Sequence, residues 1–234
     1  MRTPPSRPTA SRTRGLTRAV IGLSTAGLAL AGLASAPAWA KNEPACLPNC
    51  AGANLAGANL KGANLANADF SGANLARANL ADAVLTGTIL TGANLAGTQF
   101  KAADLSGKDL TGTTLVGANL KGANLSGAKL SGVDLSGANM QGANASNADL
   151  TNATLRKTRL YLGTARTATM AGVDLSGANV MRVDLSGSDL RGSIWSGTLA
   201  FKTKLAGATL TDARLSGANL QFGNFTGASL VGAQ

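Results

Sequence analysis

Histidine is absent from this 234-residue chain, and Glu43 is its only glutamate. Aromatic residues make up 3% of the sequence and charged residues 14%. Acid–base and nucleophilic catalysis need convergent groups, of which histidine is the commonest, so we expect no enzymatic activity and no catalytic residue. The same shortage removes the usual ligands of a metal centre, and we expect no metal and no cofactor.

Cysteine is also scarce, since Cys46 and Cys50 in the motif CLPNC are the only two. A redox or metal role needs further ligands, and the sequence has neither a third cysteine nor a histidine to supply them. In an oxidising compartment a local disulfide between the two cysteines is the favoured interpretation.

The first 40 residues have the three-part layout of a secretory signal. An arginine-rich start is followed by the apolar stretch Ala19–Leu33 and then by the small residues Ala38 and Ala40. We predict a signal peptide over 1–40, cleaved after Ala40, and a periplasmic or extracellular mature protein. The alternative is an uncleaved anchor, because a bilayer needs about 20 apolar residues. Pro37 and the many small residues favour cleavage.

The net charge of +10 overstates the basicity of the mature chain. Residues 1–40 contain five arginines and no acid, whereas residues 41–234 carry 16 basic and 11 acidic side chains. A mature charge of about +5 is weak support for binding to nucleic acid, which we do not expect.

An apolar residue recurs every five positions from Leu55 to Leu230, which makes 36 repeats without a break in phase. Leucine occupies 26 of these centres, and alanine stands two residues before 22 of them. On a helix, five residues advance the chain by about 500°, so the leucines would scatter around the axis. On a strand, alternate leucines would face opposite sides. A coil that turns a corner after every repeat brings every centre inward, and glycine two residues after the centre suits such a corner.

The pattern A(N/D)LxG, repeated through 51–234, closely resembles the pentapeptide-repeat family. The resemblance implies an all-β fold, a right-handed quadrilateral β-helix with four repeats to a coil and about nine coils. It also divides the chain into the signal peptide 1–40, an N-terminal cap 41–50 that holds Cys46 and Cys50, and the β-helix 51–234. Some members of this family resemble DNA, bind DNA gyrase and protect it from quinolones.

A 20-residue coil assigns each outward side chain to one of four sides. The basic side, which contains the repeats centred on Leu60, Leu80 and every twentieth residue thereafter, has one acid, Asp82. Its basic residues are Lys61, Lys101, Lys121, Arg159, Arg182 and Lys202. The opposite side has five acids, Asp69, Asp109, Asp149, Asp189 and Asp212, against Lys129 and Arg191.

Three large residues take the same outward position on successive coils of the basic side. We predict that they form a partner-binding strip with the flanking cations, because exposed apolar clusters often mark interfaces. The strip consists of Tyr161, Met181, Phe201, Arg159, Arg182 and Lys202. The alternative is a chance coincidence of large residues among many outward positions.

Several repeats depart from the pattern, and drift in a redundant solenoid is one explanation for them. Arg156–Met170 is the most degraded stretch, with four basic residues. Trp195 and Ala200 are an oversized and an undersized centre in adjacent repeats. Lys108 takes an inward position, where we expect it to bulge outward or to extend its ammonium to solvent.

The sequence predicts an exported, non-enzymatic scaffold that binds a protein or a component of the cell envelope and has no small-molecule substrate. A homodimer formed by end-to-end stacking at the C-terminal coil, near Phe222 and Phe225, is also expected, because an exposed sheet edge invites pairing. The alternative function is a DNA mimic that binds gyrase. An acidic, cytoplasmic rod suits that function, and neither property fits a basic chain with an export signal.

Overall fold

The computed structural model describes residues 42–234, and the signal peptide predicted over 1–40 lies outside them. Within 42–234, no helix is both long and apolar enough to cross a membrane.

Residues 42–234 pair by isolated parallel bridges, each one residue long. The bridges occur one residue before the repeat centres, from Asn49 to Ser229, and every one joins residues 20 positions apart. Asn54 pairs with Asn74 in this way, and Asn74 pairs with Asn94. Four repeats therefore complete one coil, and each residue lies beside its equivalent in the next coil.

Backbone hydrogen bonds between coils repeat with the same period. The Leu55 N–H donates to the Asn74 carbonyl at 2.7 Å, and the Gly57 N–H donates to the Ala76 carbonyl at 2.8 Å. In the other direction, the Asn74 N–H donates to the Ala53 carbonyl at 2.8 Å. The coils satisfy one another's backbone groups, so a single coil has no partner for most of them.

The repeat centres form the core. Every centre from Leu60 to Leu210 is at most 4% exposed, which confirms the predicted inward period of five. Trp195 and Ala200 are both fully buried. The indole N–H of Trp195 donates to the Ser193 hydroxyl at 2.7 Å, so its polar atom is satisfied inside the core. The small Ala200 beside it offsets the volume of the indole.

The corners explain two recurring positions of the repeat, the Asn or Asp before the centre and the glycine two residues after it. Every fifth residue from Gly52 to Gly232 has a positive φ, and 13 of these residues are not glycine. Where Asn or Asp stands before the centre, its side chain stabilises the corner, as where Asp69 Oδ1 accepts from the Ser71 N–H at 2.8 Å. The Ser71 hydroxyl also donates to Asp69 and lowers the pKa of that carboxyl.

Lys108 interrupts the ladder between two coils. Its Nζ donates to the Thr88 carbonyl at 3.0 Å, across the coil boundary. We expected Lys108 to bulge outward or to extend its ammonium to solvent; in the structure its side chain is half-buried with the ammonium on this carbonyl, and burial lowers its pKa. The bridges expected from Val84 and Ile89 to the next coil are missing within the described ladder.

We name this interruption the Lys108 gap. Six backbone N–H groups beside it lack the inter-coil bond that the register predicts: Asp82, Leu85, Gly87, Leu90, Asp104 and Asp109. Within residues 42–234, other N–H groups, such as those of Gly112 and Gly197, also lack theirs. A cavity of about 320 Å³ lies there, lined by residues 83–87 together with Asp104, Ser106 and Lys108. The ladder resumes at the bridge between Asn94 and Thr114.

Residues 42–50 lie against the first coil. A disulfide joins Cys46 to Cys50, and Cys50 is buried. The Asp69 N–H donates to the Pro48 carbonyl at 2.8 Å, and the Asn42 amide donates to the Lys61 carbonyl at 2.8 Å. This segment therefore satisfies backbone groups at the edge of the first coil.

Candidate partner-binding strip on the basic side

The register of the ladder aligns the strip on three successive coils. Bridges join Arg159 to Asn179 and Asn179 to Leu199. Because parallel bridges hold neighbouring coils about 4.8 Å apart, equivalent residues lie directly beside one another. The same register aligns Tyr161, Met181 and Phe201 in one outward column.

The apolar and charged members of the strip differ in exposure. Tyr161, Met181 and Phe201 are half-buried. The three cations Arg159, Arg182 and Lys202 are exposed. The strip is thus a half-buried column of large side chains with exposed charges at its margin.

Lys202 contacts an aromatic ring of the strip and a second ring on the following coil. Its Nζ lies 5.2 Å from the ring centroid of Phe201 and 5.9 Å from that of Phe222. The two rings meet edge to face, with centroids 5.3 Å apart and planes at 72°. Both the cation–π contacts and the ring pair are favourable geometries, so these three side chains form one cluster.

A shallow groove crosses the other end of the strip. Its volume is about 320 Å³. Amide, phenol, thioether and guanidinium groups line it, from Asn139, Gln141, Arg159, Tyr161, Asn179 and Met181. These groups offer both hydrogen-bond donors and apolar surface to a partner.

The cations of the strip are not neutralised by the chain itself. Five ion pairs occur within residues 42–234, and none involves Arg159, Arg182 or Lys202. On the same side, Lys61 lies 4.0 Å from Asp82, the single acid of that side. Near its C-terminal coils the basic side therefore presents uncompensated positive charge.

The opposite side is the more acidic one and partly neutralises itself. Lys129 lies 3.6 Å from Asp109, and Arg191 lies 2.6 Å from Asp189. The Thr111 hydroxyl lowers the pKa of Asp109. Such exposed pairs contribute little to stability, and they leave three of the five acids of this side without an ion pair in residues 42–234.

Three exposed apolar residues beside the strip were not included in the sequence prediction. Leu162 is 51% exposed, Leu199 is 46% exposed and Phe222 is 76% exposed. Phe222 was named only for end-to-end stacking, and the half-buried Phe225 packs against the core. Leu162 and Phe222 replace the corner glycine, whose position faces outward. This replacement is the sequence signal that could have predicted their exposure.

The four basic residues of Arg156–Met170 do not form one patch. Arg156 and Lys157 lie on one side of the coil, whereas Arg159 lies on the basic side and Arg166 on a third. Arg156 pairs with Asp174 at 3.3 Å. The four residues are close together in the sequence, but the corners of the coil place them on different sides.

Acidic and sulfur ligands do not converge in this structure. Across residues 42–234, no group of three or more His, Cys, Asp or Glu side chains is arranged to hold a metal ion. The aspartates instead bond to the corner that follows them, as Asp104 does with Ser106 at 2.7 Å.

The profile of the family described as pentapeptide repeats matches this chain in eight copies. Together the copies account for most of residues 49–233, at 49–87, 68–107, 78–117, 93–132, 109–142, 128–161, 166–199 and 201–233. The chain belongs to the pentapeptide-repeat family. Membership agrees with the 20-residue register of its bridges.

Solved structures similar to this chain are also pentapeptide-repeat proteins. HetL from Nostoc, involved in heterocyst differentiation regulation, is 27% identical over 80% of this chain and 86% of its own, with a TM-score of 0.34. QnrB1, a plasmid-mediated fluoroquinolone resistance protein, is 20% identical over 62% of this chain and 84% of its own, with a TM-score of 0.49. Neither likeness carries a function to this chain. Among curated proteins, none matches it.

Proposed function

We propose that this pentapeptide-repeat protein is an exported, non-catalytic scaffold that binds a partner through the strip on its basic side. The partner is a protein or a component of the cell envelope. The proposal includes a right-handed winding and about nine coils, the form that the family resemblance implies.

One observation carries the proposal. The 20-residue register aligns Tyr161, Met181 and Phe201 on successive coils, beside cations that no acid of residues 42–234 neutralises. A rigid rod fixes the spacing of these side chains before binding, so little conformational entropy is lost when a partner docks.

Export is supported by two independent features. The sequence of 1–40 has the layout of a secretory signal, and Cys46 and Cys50 are joined in a disulfide. Disulfides persist in oxidising compartments and are rare in the cytosol.

Gyrase binding is the less favoured function. The similarity to QnrB1 supports the fold alone, at 20% identity. A DNA mimic needs a strongly acidic surface, whereas basic side chains outnumber acidic ones in residues 41–234.

Self-association belongs to the proposal as well. In the last coil Leu230 is 42% exposed and Val231 is 71% exposed, whereas centres up to Leu210 are buried. A second copy that stacks on this coil would cover Leu230, the centre of its repeat, whereas Val231 takes the outward position. Light scattering at high concentration is expected to give the mass of a dimer, and a strict monomer would contradict this part of the proposal.

Cell fractionation followed by affinity capture tests the main proposal. We expect the chain in the periplasm or medium with Lys41 as its first residue, and we expect it to capture a partner. The substitutions Tyr161→Ser, Met181→Ser and Phe201→Ser together should abolish capture, because serine is common at this outward position and leaves the core intact. Val116→Ser, which removes a 40% exposed apolar side chain from another side, is the matched control.

Three results would contradict the proposal. Recovery of the chain from the cytosol would exclude export. Recovery of gyrase as the captured protein would support the alternative function. Equal capture by the triple variant and the control would remove the strip from the interface.

A further inference from the structure

The corner beside the strip contains an unusual run of residues. On four successive coils its left-handed position is filled by Leu162, Arg182, Lys202 and Phe222, with φ of 58°, 56°, 57° and 58°. At the other corners of residues 42–234, at most two successive coils lack glycine at this position. The run is therefore a local property of this corner.

These residues occupy a backbone conformation that disfavours them. Glycine adopts a positive φ without steric cost, and Asn or Asp tolerates it, whereas leucine, arginine, lysine and phenylalanine do not. Strained backbone that persists in a fold points to a function of the side chain held there. None of the four replacements has a backbone advantage over glycine. Their side chains are therefore the reason that we assign to the run.

The corner column adds a second row to the strip. Leu162 is 51% exposed and Phe222 is 76% exposed, and they lie at the two ends of the column. Arg182 and Lys202 lie between them and are exposed. Read along the axis, the column is apolar, positive, positive and apolar, and it runs parallel to Tyr161, Met181 and Phe201.

The order of these groups specifies the chemistry of an occupant. The two central cations have no acidic partner within residues 42–234, so they attract adjacent negative charges. Leu162 and Phe222 require apolar groups on either side of those charges. A uniform polyanion, such as a charged polysaccharide or the phosphate backbone of a nucleic acid duplex, has no such groups to offer them.

We propose that this two-row surface binds an extended segment of a partner protein in which acidic residues are flanked by apolar ones. The inference rests on the proposed function and names the chemistry of its partner. Three coil steps of about 4.8 Å span about 14 Å, which an extended chain covers with about five residues. The bound segment lies along the axis of the coil.

Binding of synthetic peptides to the full chain tests this inference. The probe is a seven-residue peptide with one Asp and one Glu between a Leu and a Phe, and its counterpart has Asn and Gln in place of the acids. We expect the acidic peptide to bind in low salt, to weaken as salt is raised and to bind at least tenfold more tightly than the neutral one.

Glycine variants separate binding from folding at this corner. Arg182→Gly with Lys202→Gly removes both charges and relieves the backbone, so affinity should fall roughly tenfold while the melting temperature does not fall. The matched control is Arg77→Gly with Lys157→Gly, because these cations have φ of 60° and 56° at another corner. The control should raise the melting temperature and leave affinity unchanged.

Three outcomes overturn the inference. Equal affinity for the acidic and neutral peptides is the first, and equal loss in the two glycine pairs is the second. The third is binding of heparin, a polyanion, with the same dependence on Arg182 and Lys202 while the acidic peptide fails to bind. If the captured partner depends on Tyr161, Met181 and Phe201 but not on Arg182 and Lys202, this inference fails and the proposed function stands.

Discussion

In two stretches of this solenoid, the match to the repeat pattern does not predict whether the ladder between coils is continuous. Arg156–Met170 departs most from the repeat pattern, yet its ladder is unbroken: Arg159 bridges to Asn179 and Thr164 to Asp184. Residues 82–109 depart from the pattern less densely, as at Val84, Ile89 and Gln99, yet the Lys108 gap lies there. One inward residue accounts for the difference.

The two stretches differ in the kind of substitution that they contain. In Arg156–Met170 the substitutions are outward, as with Arg159, or reduce inward volume, as with Gly163 and Ala165. The buried Thr158 is the exception, and its hydroxyl donates to the Leu135 carbonyl at 3.0 Å, so it is satisfied without charge. Coils tolerate both, since the backbone ladder does not depend on them. Lys108 instead places a charge where alanine is usual, and its ammonium takes the Thr88 carbonyl that the Asp109 N–H would bond.

Moving an inward charge into the degenerate stretch should produce the largest effect. Ala168 is fully buried and lies on the same side of the coil as Lys108. Ala168→Lys is expected to cost about 3 kcal/mol of unfolding free energy and to open a second gap. Denaturant unfolding measures the loss, and hydrogen exchange should show lost protection at Leu150 and Thr169, the equivalents of Leu90 and Asp109 at the existing gap. Thr169→Lys, an outward control, should change stability by less than about 0.5 kcal/mol. An unbroken ladder in Ala168→Lys would show that an inward charge does not by itself interrupt the hydrogen bonds between coils.

Removing the charge at Lys108 should close the existing gap. Lys108→Ala restores the usual inward residue, so the inter-coil hydrogen bonds can form and stability should rise by about 1–2 kcal/mol. Amide exchange at Leu85, Leu90 and Asp104 is expected to slow. Lys108→Met keeps the length of the side chain without its charge and serves as the control for packing. If the amides stay unprotected in both variants, the gap has another cause.

Corner glycines offer a smaller gain in the degenerate stretch. Lys157 has a φ of 56°, so Lys157→Gly should relieve strain and raise the unfolding free energy by about 1 kcal/mol. Gly177, the equivalent residue one coil later, already has a φ of 67°, and Gly177→Lys should lower stability by a similar amount. Thermal unfolding measures both changes, and equal melting temperatures would contradict the assignment of strain.

The smallest predicted effect is a dependence on pH. Burial lowers the pKa of Lys108 below its ordinary value of 10.5, so the unfolded chain binds more protons than the folded one between the two values. Stability therefore rises with pH through that window. The stability difference between Lys108→Ala and the unchanged protein should narrow as pH approaches 10.5, as measured by unfolding at several pH values. A constant difference would show that the ammonium is not involved.

Much of the candidate site followed from the sequence, and the remainder depended on contacts between coils. Tyr161, Met181 and Phe201 are 20 residues apart, so the period placed them in one column. Phe222 joins the cluster because it lies on the coil after Phe201, at the corner, where its ring meets a ring from a different position of the repeat. Counting equivalent positions alone does not reveal such a contact.

The sequence by itself determined the inward period, the burial of its centres and the glycine-rich corners, because each of these is a local consequence of five residues. Only the tertiary structure decided where the ladder fails at Lys108 and how Lys202 and Phe201 meet the ring of Phe222 on the next coil. These depend on which atoms of one coil meet the next, at distances of a few ångströms. A repeated sequence specifies the coil, and the contacts between unlike coils give this protein its individual surface.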